Sequence, residues 1–241
     1  MTMEHKTVLV TGANRGIGKA LATEALARGA KHVYAGTRQP LAYSDSRLTP
    51  LTVDVTDPAQ VQAAAKEVES LDILINNAGI MLPDNPFAPA VLERHLAVNL
   101  YGSNAMTQAF LPALISSRGA VVNLLSCVAL APLPMFTSYS ASKAAAFSLT
   151  KSLRAGYAAH GVTFHAVLAG PIDTDMTREL DTPKTSPEAA ARAIYDALEN
   201  GVEDIFPDPA TAPLAQAWAA GPDKILEHQL AQLMPTPDAA R

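Results

Sequence analysis

Cysteine is almost absent from this sequence. Cys127 is the single cysteine among 241 residues, which excludes an internal disulfide and any metal site built from several thiolates. The six histidines are scattered and no two have the spacing of metal ligands, so we expect no bound metal. A lone thiol is typical of a reducing compartment, and we therefore expect the protein to be cytoplasmic.

Strong positive charge and long apolar runs are also missing. The formal net charge is −5 and no basic stripe is visible, which argues against nucleic acid as a partner. The first residues, "MTMEHKTVLV", combine a charged start with a very short apolar run. That pattern predicts neither a signal peptide nor a membrane-spanning helix, so no membrane partner is expected.

What the sequence does contain is a regular alternation of short apolar runs and amphipathic segments. Hydrophobic residues make up 49% of the chain, and the runs are rich in Val, Ile and Leu, as in buried parallel strands. We predict strands at 7–10, 32–36, 51–55, 72–76, 120–126 and 162–168, with one more at 203–208. We predict helices at 16–28, 57–70, 90–117, 138–160 and 186–200.

This alternation predicts the fold class. Repeated strand–helix–strand units indicate an α/β protein with a Rossmann-like, doubly wound parallel sheet of about seven strands and helices on both faces. No linker or repeat interrupts residues 1–241, so we expect a single domain, with a helical tail at 210–241 that is broken at Gly221–Pro222. The connection 39–50 carries two prolines and no helical period, so we expect it to cross as a loop.

The stretch "VTGANRGIG" places glycines between a predicted strand and a predicted helix. A nucleoside triphosphate loop needs G-x-x-x-x-G-K-[ST], and Ile17 and Ala20 break that pattern. A dinucleotide fits better: Gly12 permits the tight turn, Gly16 lets the backbone approach a pyrophosphate at the helix N-terminus, and Gly18 lets the helix pack on the sheet. A tight turn that binds nothing is the alternative interpretation.

Tyr139 and Lys143 form a second candidate feature. They are four residues apart in a predicted helix, so both project from one face. A lysine ammonium beside a phenol favours the phenolate, which predicts that the pKa of Tyr139 falls from about 10 toward neutrality. Such a tyrosine can exchange a proton with an alcohol oxygen. Taken alone the pair is more typical of a helix surface, but Ser126, Asn99 and the glycine turn favour the catalytic interpretation.

Several motifs, taken in order, resemble those of the short-chain dehydrogenase/reductase family. "TGANRGIG" resembles TGxxxGxG, "NNAG" resembles the motif that steadies the family's central sheet, and "YSASK" resembles YxxxK. Asn99 stands where the family's helix asparagine stands, and Ser126 lies 13 residues before Tyr139, which is the family spacing. "AGPIDT" resembles PGxxxT with Ala169 in place of proline, and the resemblance covers roughly residues 5–206.

This resemblance implies the roles of the site residues. Tyr139 would be the general acid in carbonyl reduction and the base in alcohol oxidation, and Ser126 would hydrogen-bond the substrate oxygen. Lys143 would also hold the nicotinamide ribose, and Asn99 would fix a water that links Lys143 to solvent. The residues implied to bind the cofactor are Gly12, Asn14, Arg15, Gly16, Ile17, Gly18, Thr37, Arg38, Asp54, Val55, Asn77, Ala78, Gly79, Tyr139, Lys143, Gly170, Ile172 and Thr174.

The dinucleotide is predicted to be NADP(H) rather than NAD(H). An NAD site usually has a carboxylate about 20 residues beyond the glycines, but Thr37 and Arg38 occupy that region. Arg38 and Arg15 would converge on a 2′-phosphate, which guanidinium groups bind through charge-assisted hydrogen bonds. The resemblance assigns the adenine contact to Asp54, with Val55 beside it.

The resulting prediction is an NADP(H)-dependent oxidoreductase that transfers a hydride between nicotinamide and a small carbonyl or secondary alcohol, with Tyr139 as general acid/base. The alternative is a non-catalytic NADP(H)-binding redox sensor or scaffold, which would not need the Ser–Tyr–Lys set. The helices at 90–117 and 138–160 resemble the family's dimerisation pair, so a homodimer or homotetramer is expected. The short segment after Thr174 predicts an open active site, and His95 is assigned a packing or surface role.

Overall fold

The structure, a computed structural model, describes residues 1–39, 41–83 and 88–232. The strands are β1 (Thr7–Thr11), β2 (His32–Thr37), β3 (Leu48–Thr52), β4 (Ile73–Asn76), β5 (Ala120–Leu124), β6 (Thr163–Val167) and β7 (Asp204–Ile205). They form one parallel sheet in the order β3-β2-β1-β4-β5-β6-β7. The order reverses between β1 and β4, and ligands of doubly wound sheets bind beyond the carboxyl ends of the strands at such a point.

Helices cover both faces of this sheet, which confirms the predicted fold class. α1 and α6 pack on one face, and α2 and α4 pack on the other. A π-helical turn at Ala97–Gly102 separates α3 from α4. The helices are α1 (Gly16–Ala27), α2 (Pro58–Glu67), α3 (Pro89–Leu96), α4 (Ser103–Ser117), α5 (Thr137–Tyr157), α6 (Pro187–Glu199), α7 (Leu214–Ala219) and α8 (Pro222–Ala231).

The central strands are buried on both faces because apolar side chains leave each strand in alternating directions. In β1, Val8 and Val10 join the cluster under α1 and α6, whereas Leu9 joins the cluster under α2 and α4. All three side chains are completely buried. This is why the predicted strands read as continuous apolar runs rather than as an alternating pattern.

The third strand begins earlier than the sequence predicts. β3 starts at Leu48 instead of at 51 and includes Pro50, which the sequence analysis placed in the loop. β3 is the edge strand, where a proline that cannot donate a ladder hydrogen bond is tolerated. The connection before it contains no helix among its described residues, 39 and 41–47, as predicted; Pro40 lies outside the described residues.

The helical predictions differ mainly at one interruption. The segment predicted as one helix over 90–117 is divided by the π-helical turn, and α5 ends at Tyr157 with a short 3₁₀ turn after it. The described part of the tail, 210–232, forms two helices, and the predicted break at Gly221–Pro222 separates α7 from α8. None of the helices in the described part of the chain combines the length and the apolar character that a bilayer span requires.

A buried cluster of charges attaches the tail to the sheet. The guanidinium of Arg154 on α5 donates to Asp204 on β7 at 2.7 Å and also binds Glu227 on α8. The ammonium of Lys224 lies 2.7 Å from a carboxylate oxygen of Glu203 and 3.0 Å from one of Asp204. Because cations and carboxylates alternate in this cluster, each buried charge has a partner of opposite sign.

Trp218 completes the attachment of the tail. Its Nε1 donates to Asp204 at 2.9 Å, and its ring lies 5.7 Å from the ring of Phe147 on α5, measured between centroids. The only tryptophan of the chain is therefore committed to the contact between the tail and α5.

Candidate active site

The turn between β1 and α1 has the backbone that its glycines permit. Gly12 and Gly16 have φ values of +68° and +52°, in the left-handed region that favours glycine. A Cβ atom added to Gly18 would lie 2.3 Å from the carbonyl oxygen of Gly12, so only glycine lets α1 pack this closely. Asn14 and Arg15 are exposed on the turn, and Ile17 is half-buried behind it.

The "NNAG" motif connects neighbouring strands. The side-chain amide of Asn77 donates to the carbonyl oxygens of Thr11 at 2.8 Å and Gly12 at 3.1 Å. The amide of Asn76 donates to Asn123 Oδ1 on β5 at 2.9 Å. Together the two residues join β4 to β1 and to β5, which places Ala78 directly beside the glycine turn.

The glycine turn fits the pyrophosphate of a dinucleotide. Among the described residues no side chain caps the N-terminus of α1, so its first N–H groups face the crevice at the positive end of the helix dipole. A Cβ added to Gly12 would lie 3.1 Å from Ala78 Cα, and one added to Gly16 would lie 3.0 Å from the methyl group of Thr174. A side chain at either position would therefore crowd the neighbouring segment, and only glycine keeps this turn as close to them as it is.

The residues predicted to hold the adenosine lie at the ends of β2 and β3. Asp54 Oδ1 accepts from the backbone N–H of Thr56 at 2.9 Å and from its hydroxyl at 2.7 Å. These bonds hold the pKa of Asp54 below its usual range, and the charge of Arg38 lowers it further. Thr37 is buried and its hydroxyl donates to the Gln39 carbonyl oxygen at 2.5 Å, while Val55 is buried in the core.

Arg15 is held on the opposite side of the glycine turn. Its guanidinium lies 2.7 Å from a carboxylate oxygen of Asp175, in the segment that follows β6. Asp175 also binds Arg178. The predicted convergence of Arg15 and Arg38 on a phosphate therefore competes with the Arg15–Asp175 ion pair.

Tyr139 and Lys143 lie on one face of α5, as their spacing predicts. The Lys143 side chain is buried, and its ammonium donates to the Leu124 carbonyl oxygen at the end of β5 at 2.7 Å. The Nζ atom lies 5.6 Å from the centroid of the Tyr139 ring. A Cβ added to Gly79 would lie 3.6 Å from this Nζ, so the lysine borders the crevice beside β4.

The predicted decrease of the tyrosine pKa is wrong for this arrangement. Burial raises the pKa of Tyr139 to about 12, and a hydrogen bond with Ser126 opposes the rise. The Lys143 ammonium donates its hydrogen bond to the Leu124 carbonyl oxygen, and burial lowers the pKa of Lys143 to about 8. Desolvation is the largest cause of the shift at both groups, and the position of Lys143 four residues from Tyr139 does not reverse it.

Ser126 follows β5 and faces Tyr139 across the crevice. Its hydroxyl donates to the Ala169 carbonyl oxygen at 3.2 Å and accepts from the Val128 N–H at 3.3 Å. The hydrogen bond between Ser126 and Tyr139 favours the phenolate. The structure therefore brings the predicted serine, tyrosine and lysine together beyond the carboxyl end of β5.

Asn99 lies in the π-helical turn and connects two segments of the site. Its Oδ1 accepts from the Ile80 N–H at 2.9 Å, and its Nδ2 donates to the Ile80 carbonyl oxygen at 3.0 Å and to Ser142 Oγ at 3.0 Å. The side chain thus holds the segment after β4 against α5. Isolated π-helical turns inside helices occur frequently at functional sites.

His95 packs beside the predicted catalytic tyrosine, a neighbour that the sequence analysis did not predict. It is completely buried, its Nε2 accepts from the Leu82 N–H at 3.0 Å, and its Nδ1 lies 2.9 Å from the Val91 carbonyl oxygen. A carbonyl only accepts, so Nδ1 carries the proton in this arrangement. The one signal in the sequence is that His95 precedes Asn99 by four residues, which places both on one helix face.

The segment after β6 borders the glycine turn. The Gly170 N–H donates to Asp208 Oδ2 at 2.8 Å, and Ile172 is buried and forms an isolated parallel bridge with Thr185. Thr174 precedes a short 3₁₀ turn and packs against Gly16. The residues predicted to hold the nicotinamide thus lie beside those predicted to hold the pyrophosphate.

An open groove of about 830 Å³ lies between α1, the segment after Thr174 and the first turn of α6. Asp175, Arg178 and Lys184 line it, so this short segment runs along the groove wall. Within the described ranges no three His, Cys, Asp or Glu side chains are grouped to hold a metal ion.

The fold and the site define a class of protein: a nicotinamide-dinucleotide-dependent oxidoreductase acting on CH–OH and C=O groups. The family model described as short chain dehydrogenase matches residues 6–185. The chain belongs to the short-chain dehydrogenase/reductase family.

Individual relatives agree with this assignment. The chain is 34% identical over 210 residues to 2-(R)-hydroxypropyl-CoM dehydrogenase from Xanthobacter autotrophicus, covering 78% of this chain and 83% of that protein. It is 34% identical over 193 residues to the 3-oxoacyl-[acyl-carrier-protein] reductase FabG of Escherichia coli, covering 75% of this chain and 79% of that protein. A short chain dehydrogenase from Burkholderia cenocepacia, solved in complex with NADP, superimposes with a TM-score of 0.86 at 39% identity, covering 98% of this chain and all of that one.

Proposed function

We propose that the protein is an NADP(H)-dependent oxidoreductase that interconverts a small carbonyl compound and the corresponding secondary alcohol, with Tyr139 as general acid and base. The observation that carries this proposal is the convergence of Ser126, Tyr139 and Lys143 beside the glycine turn, at the carboxyl ends of the central strands. A protein that only senses or stores the dinucleotide would not need these three side chains together.

The residues present would hold the dinucleotide along the whole crevice. The glycine turn and the N-terminus of α1 suit its pyrophosphate, Arg38 and Asp54 suit its adenosine end, and Gly170 and Thr174 border the nicotinamide end. When bound, the dinucleotide supplies or accepts the hydride. The exposed guanidinium of Arg38 favours a 2′-phosphate, and the Burkholderia relative was solved with NADP.

The side chains of the site would bind the substrate oxygen and transfer a proton to or from it. The Ser126 hydroxyl would donate a hydrogen bond to the oxygen and stabilise its developing charge. The Tyr139 hydroxyl, which is protonated at neutral pH because burial raises its pKa, would deliver the proton in carbonyl reduction. Lys143 would keep a positive charge beneath the phenol and stabilise the phenolate that remains.

The proposal is tested by following NADPH absorbance with a panel of small ketones and aldehydes, using the parent protein and Tyr139→Phe. We expect the substitution to reduce kcat by about 10²-fold or more, since general acid catalysis contributes that much, while the dissociation constant for NADPH stays within about twofold. Tyr34→Phe is a matched control on β2, outside the crevice. Equal turnover in the parent and Tyr139→Phe would refute the assignment.

Two further expectations remain proposals. The resemblance to the family's dimerisation helices supports a homo-oligomer formed through α4 and α5, and sedimentation velocity would determine its size. A cytoplasmic location is supported by the single cysteine, and cell fractionation would test it.

A further inference from the structure

A buried carboxylate outside the predicted catalytic set lies behind the active-site serine. The Asp208 side chain follows β7 and is only 3% exposed. Its Oδ2 accepts from the Gly170 N–H at 2.8 Å and from the Thr211 hydroxyl at 2.9 Å. Its Oδ1 accepts from the backbone N–H groups of Ala210 and Thr211, each at 3.1 Å. Four donors thus satisfy this charge without a cationic partner in the described part of the chain.

The bond from Gly170 has a consequence for Ser126. The N–H of Gly170 and the carbonyl of Ala169 belong to the same peptide group, which is planar and rigid. The carbonyl oxygen of this group accepts from Ser126 Oγ at 3.2 Å and from the Cys127 N–H at 3.0 Å. Asp208 and Ser126 therefore bind the two opposite edges of one planar peptide group, Asp208 at its N–H and Ser126 at its carbonyl oxygen.

One physical effect passes through this peptide. A carboxylate that holds the N–H sets the direction of the carbonyl, and the carbonyl direction selects the rotamer that places Ser126 Oγ. Ser126 has a single hydroxyl proton, which it donates to this carbonyl in the free site and would turn to the substrate oxygen when substrate binds. Asp208 is close enough to this region that its charge raises the pKa of the neighbouring Cys127 thiol, although burial is the larger cause.

We propose that Asp208 is a positioning residue that orients Ser126 through the Ala169–Gly170 peptide. The proposal deepens the proposed function, because the benefit of an oriented Ser126 rests on its role at the substrate oxygen. This arrangement requires glycine at position 170. A Cβ there would lie 2.8 Å from Asp208 Oδ1, so any side chain would push the carboxylate away from the peptide.

Two substitutions separate this role from local support of the turn. In Asp208→Asn, one carboxylate oxygen becomes an NH₂ group, which would face either the Gly170 N–H or the N–H groups of Ala210 and Thr211. In Asp208→Ser, the hydroxyl still accepts from the following turn but is too short to reach Gly170. Asp204→Asn is the matched control, because it also neutralises a buried carboxylate at β7 but does not touch the peptide.

The primary measurement is amide hydrogen exchange of Gly170 by NMR, expressed relative to the core amide of Val122. We expect exchange to accelerate at least about tenfold in Asp208→Ser, to accelerate less in Asp208→Asn, whose remaining oxygen can still accept from Gly170, and to change less than about twofold in Asp204→Asn. Ser126→Ala removes the hydrogen bond to the Ala169 carbonyl oxygen of the same peptide and should accelerate Gly170 exchange severalfold. An unchanged Gly170 amide in Asp208→Ser or in Ser126→Ala would overturn the proposal, and neither reading needs turnover.

Kinetics test the consequence for catalysis. With NADPH and an accepted carbonyl, we expect Asp208→Ser to lower kcat about tenfold and to leave the KM for NADPH within about threefold. Accelerated Gly170 exchange with an unaltered kcat would overturn the assigned role. If the parent reduces no carbonyl, the proposed function fails, and the exchange data alone still determine whether Asp208 and Ser126 are coupled.

Discussion

The imidazole of His95 lies edge-on against the phenol of Tyr139, with the ring centroids 6.1 Å apart and the planes inclined by 64°. The same imidazole accepts from the Leu82 N–H, so one buried side chain contacts both the proposed proton donor and the segment after β4. The two contacts use different parts of the ring. Substitutions can therefore remove them separately.

Two variants of His95 should separate its effect on stability from its effect on turnover. His95→Phe keeps a ring beside Tyr139 but leaves the Leu82 N–H without its acceptor, so we expect a loss of about 1–3 kcal/mol in the free energy of unfolding. His95→Gln keeps an acceptor but removes the ring, so we expect stability closer to the parent and kcat reduced about threefold or more. Urea denaturation and NADPH oxidation measure the two effects, and identical kinetics in both variants would contradict the assignment.

The raised pKa of Tyr139 predicts different pH dependences for the two directions of the reaction. Reduction needs the protonated phenol, which predominates below the pKa of about 12, so kcat/KM for reduction should stay level across neutral pH. Oxidation needs the phenolate, so kcat/KM for an alcohol should increase about tenfold per pH unit up to about pH 8. Above that pH the increase should flatten, because the Lys143 ammonium that stabilises the phenolate, whose pKa burial lowers to about 8, loses its charge. A plateau already present at pH 7 would show that the pKa lies near neutrality, as the spacing of Tyr139 and Lys143 alone suggests.

Cofactor preference should depend on Arg38 and Asp175 in opposite directions. Arg38→Ala removes a guanidinium from the adenosine end and should raise the KM for NADPH about tenfold or more with little change for NADH. Asp175→Asn removes the carboxylate that pairs with Arg15 and should lower the KM for NADPH severalfold, because Arg15 is then free to approach a phosphate. Steady-state kinetics with both dinucleotides provide the test, and a similar change for NADH in either variant would exclude a 2′-phosphate contact.

The buried charge cluster under the tail should contribute strongly to stability. Arg154→Ala leaves Asp204 and Glu227 with fewer cationic partners, so we expect the free energy of unfolding to fall by about 3–5 kcal/mol. The fluorescence of Trp218, which contacts Asp204, should then change at a lower denaturant concentration than in the parent. Arg47→Ala, which removes an exposed ion pair with Asp45, should leave the free energy of unfolding nearly unchanged. Equal losses in the two variants would show that burial does not distinguish the pairs.

The parts of the structure that sequence analysis predicted well are those with local causes. The apolar runs lie close to their observed strands because a strand buried on both faces must be apolar throughout. Gly12 and Gly18 were recognisable because a tight turn and a close helix contact leave room for no side chain. Tyr139 and Lys143 share a face because residues four apart in a helix must do so.

The parts that it missed depend on partners that are distant in the chain. Asp208 gave no signal because its relevance arises from a hydrogen bond to Gly170, 38 residues earlier. Thr37 and Arg15 were expected to face the dinucleotide, but their present partners are the Gln39 carbonyl oxygen and Asp175. No local pattern specifies which of several polar atoms a side chain will contact.

By itself, the sequence determined the alternation of strands and helices and the glycine turn, and it predicted the candidate set of Asn99, Ser126, Tyr139 and Lys143. Only the tertiary structure decided that Tyr139 becomes harder to ionise, that His95 contacts it, and that the tail is attached through buried charges. The physical reason is that periodicity and steric freedom act between neighbours in the chain. Desolvation and hydrogen bonding depend on every atom that folding brings within a few ångströms.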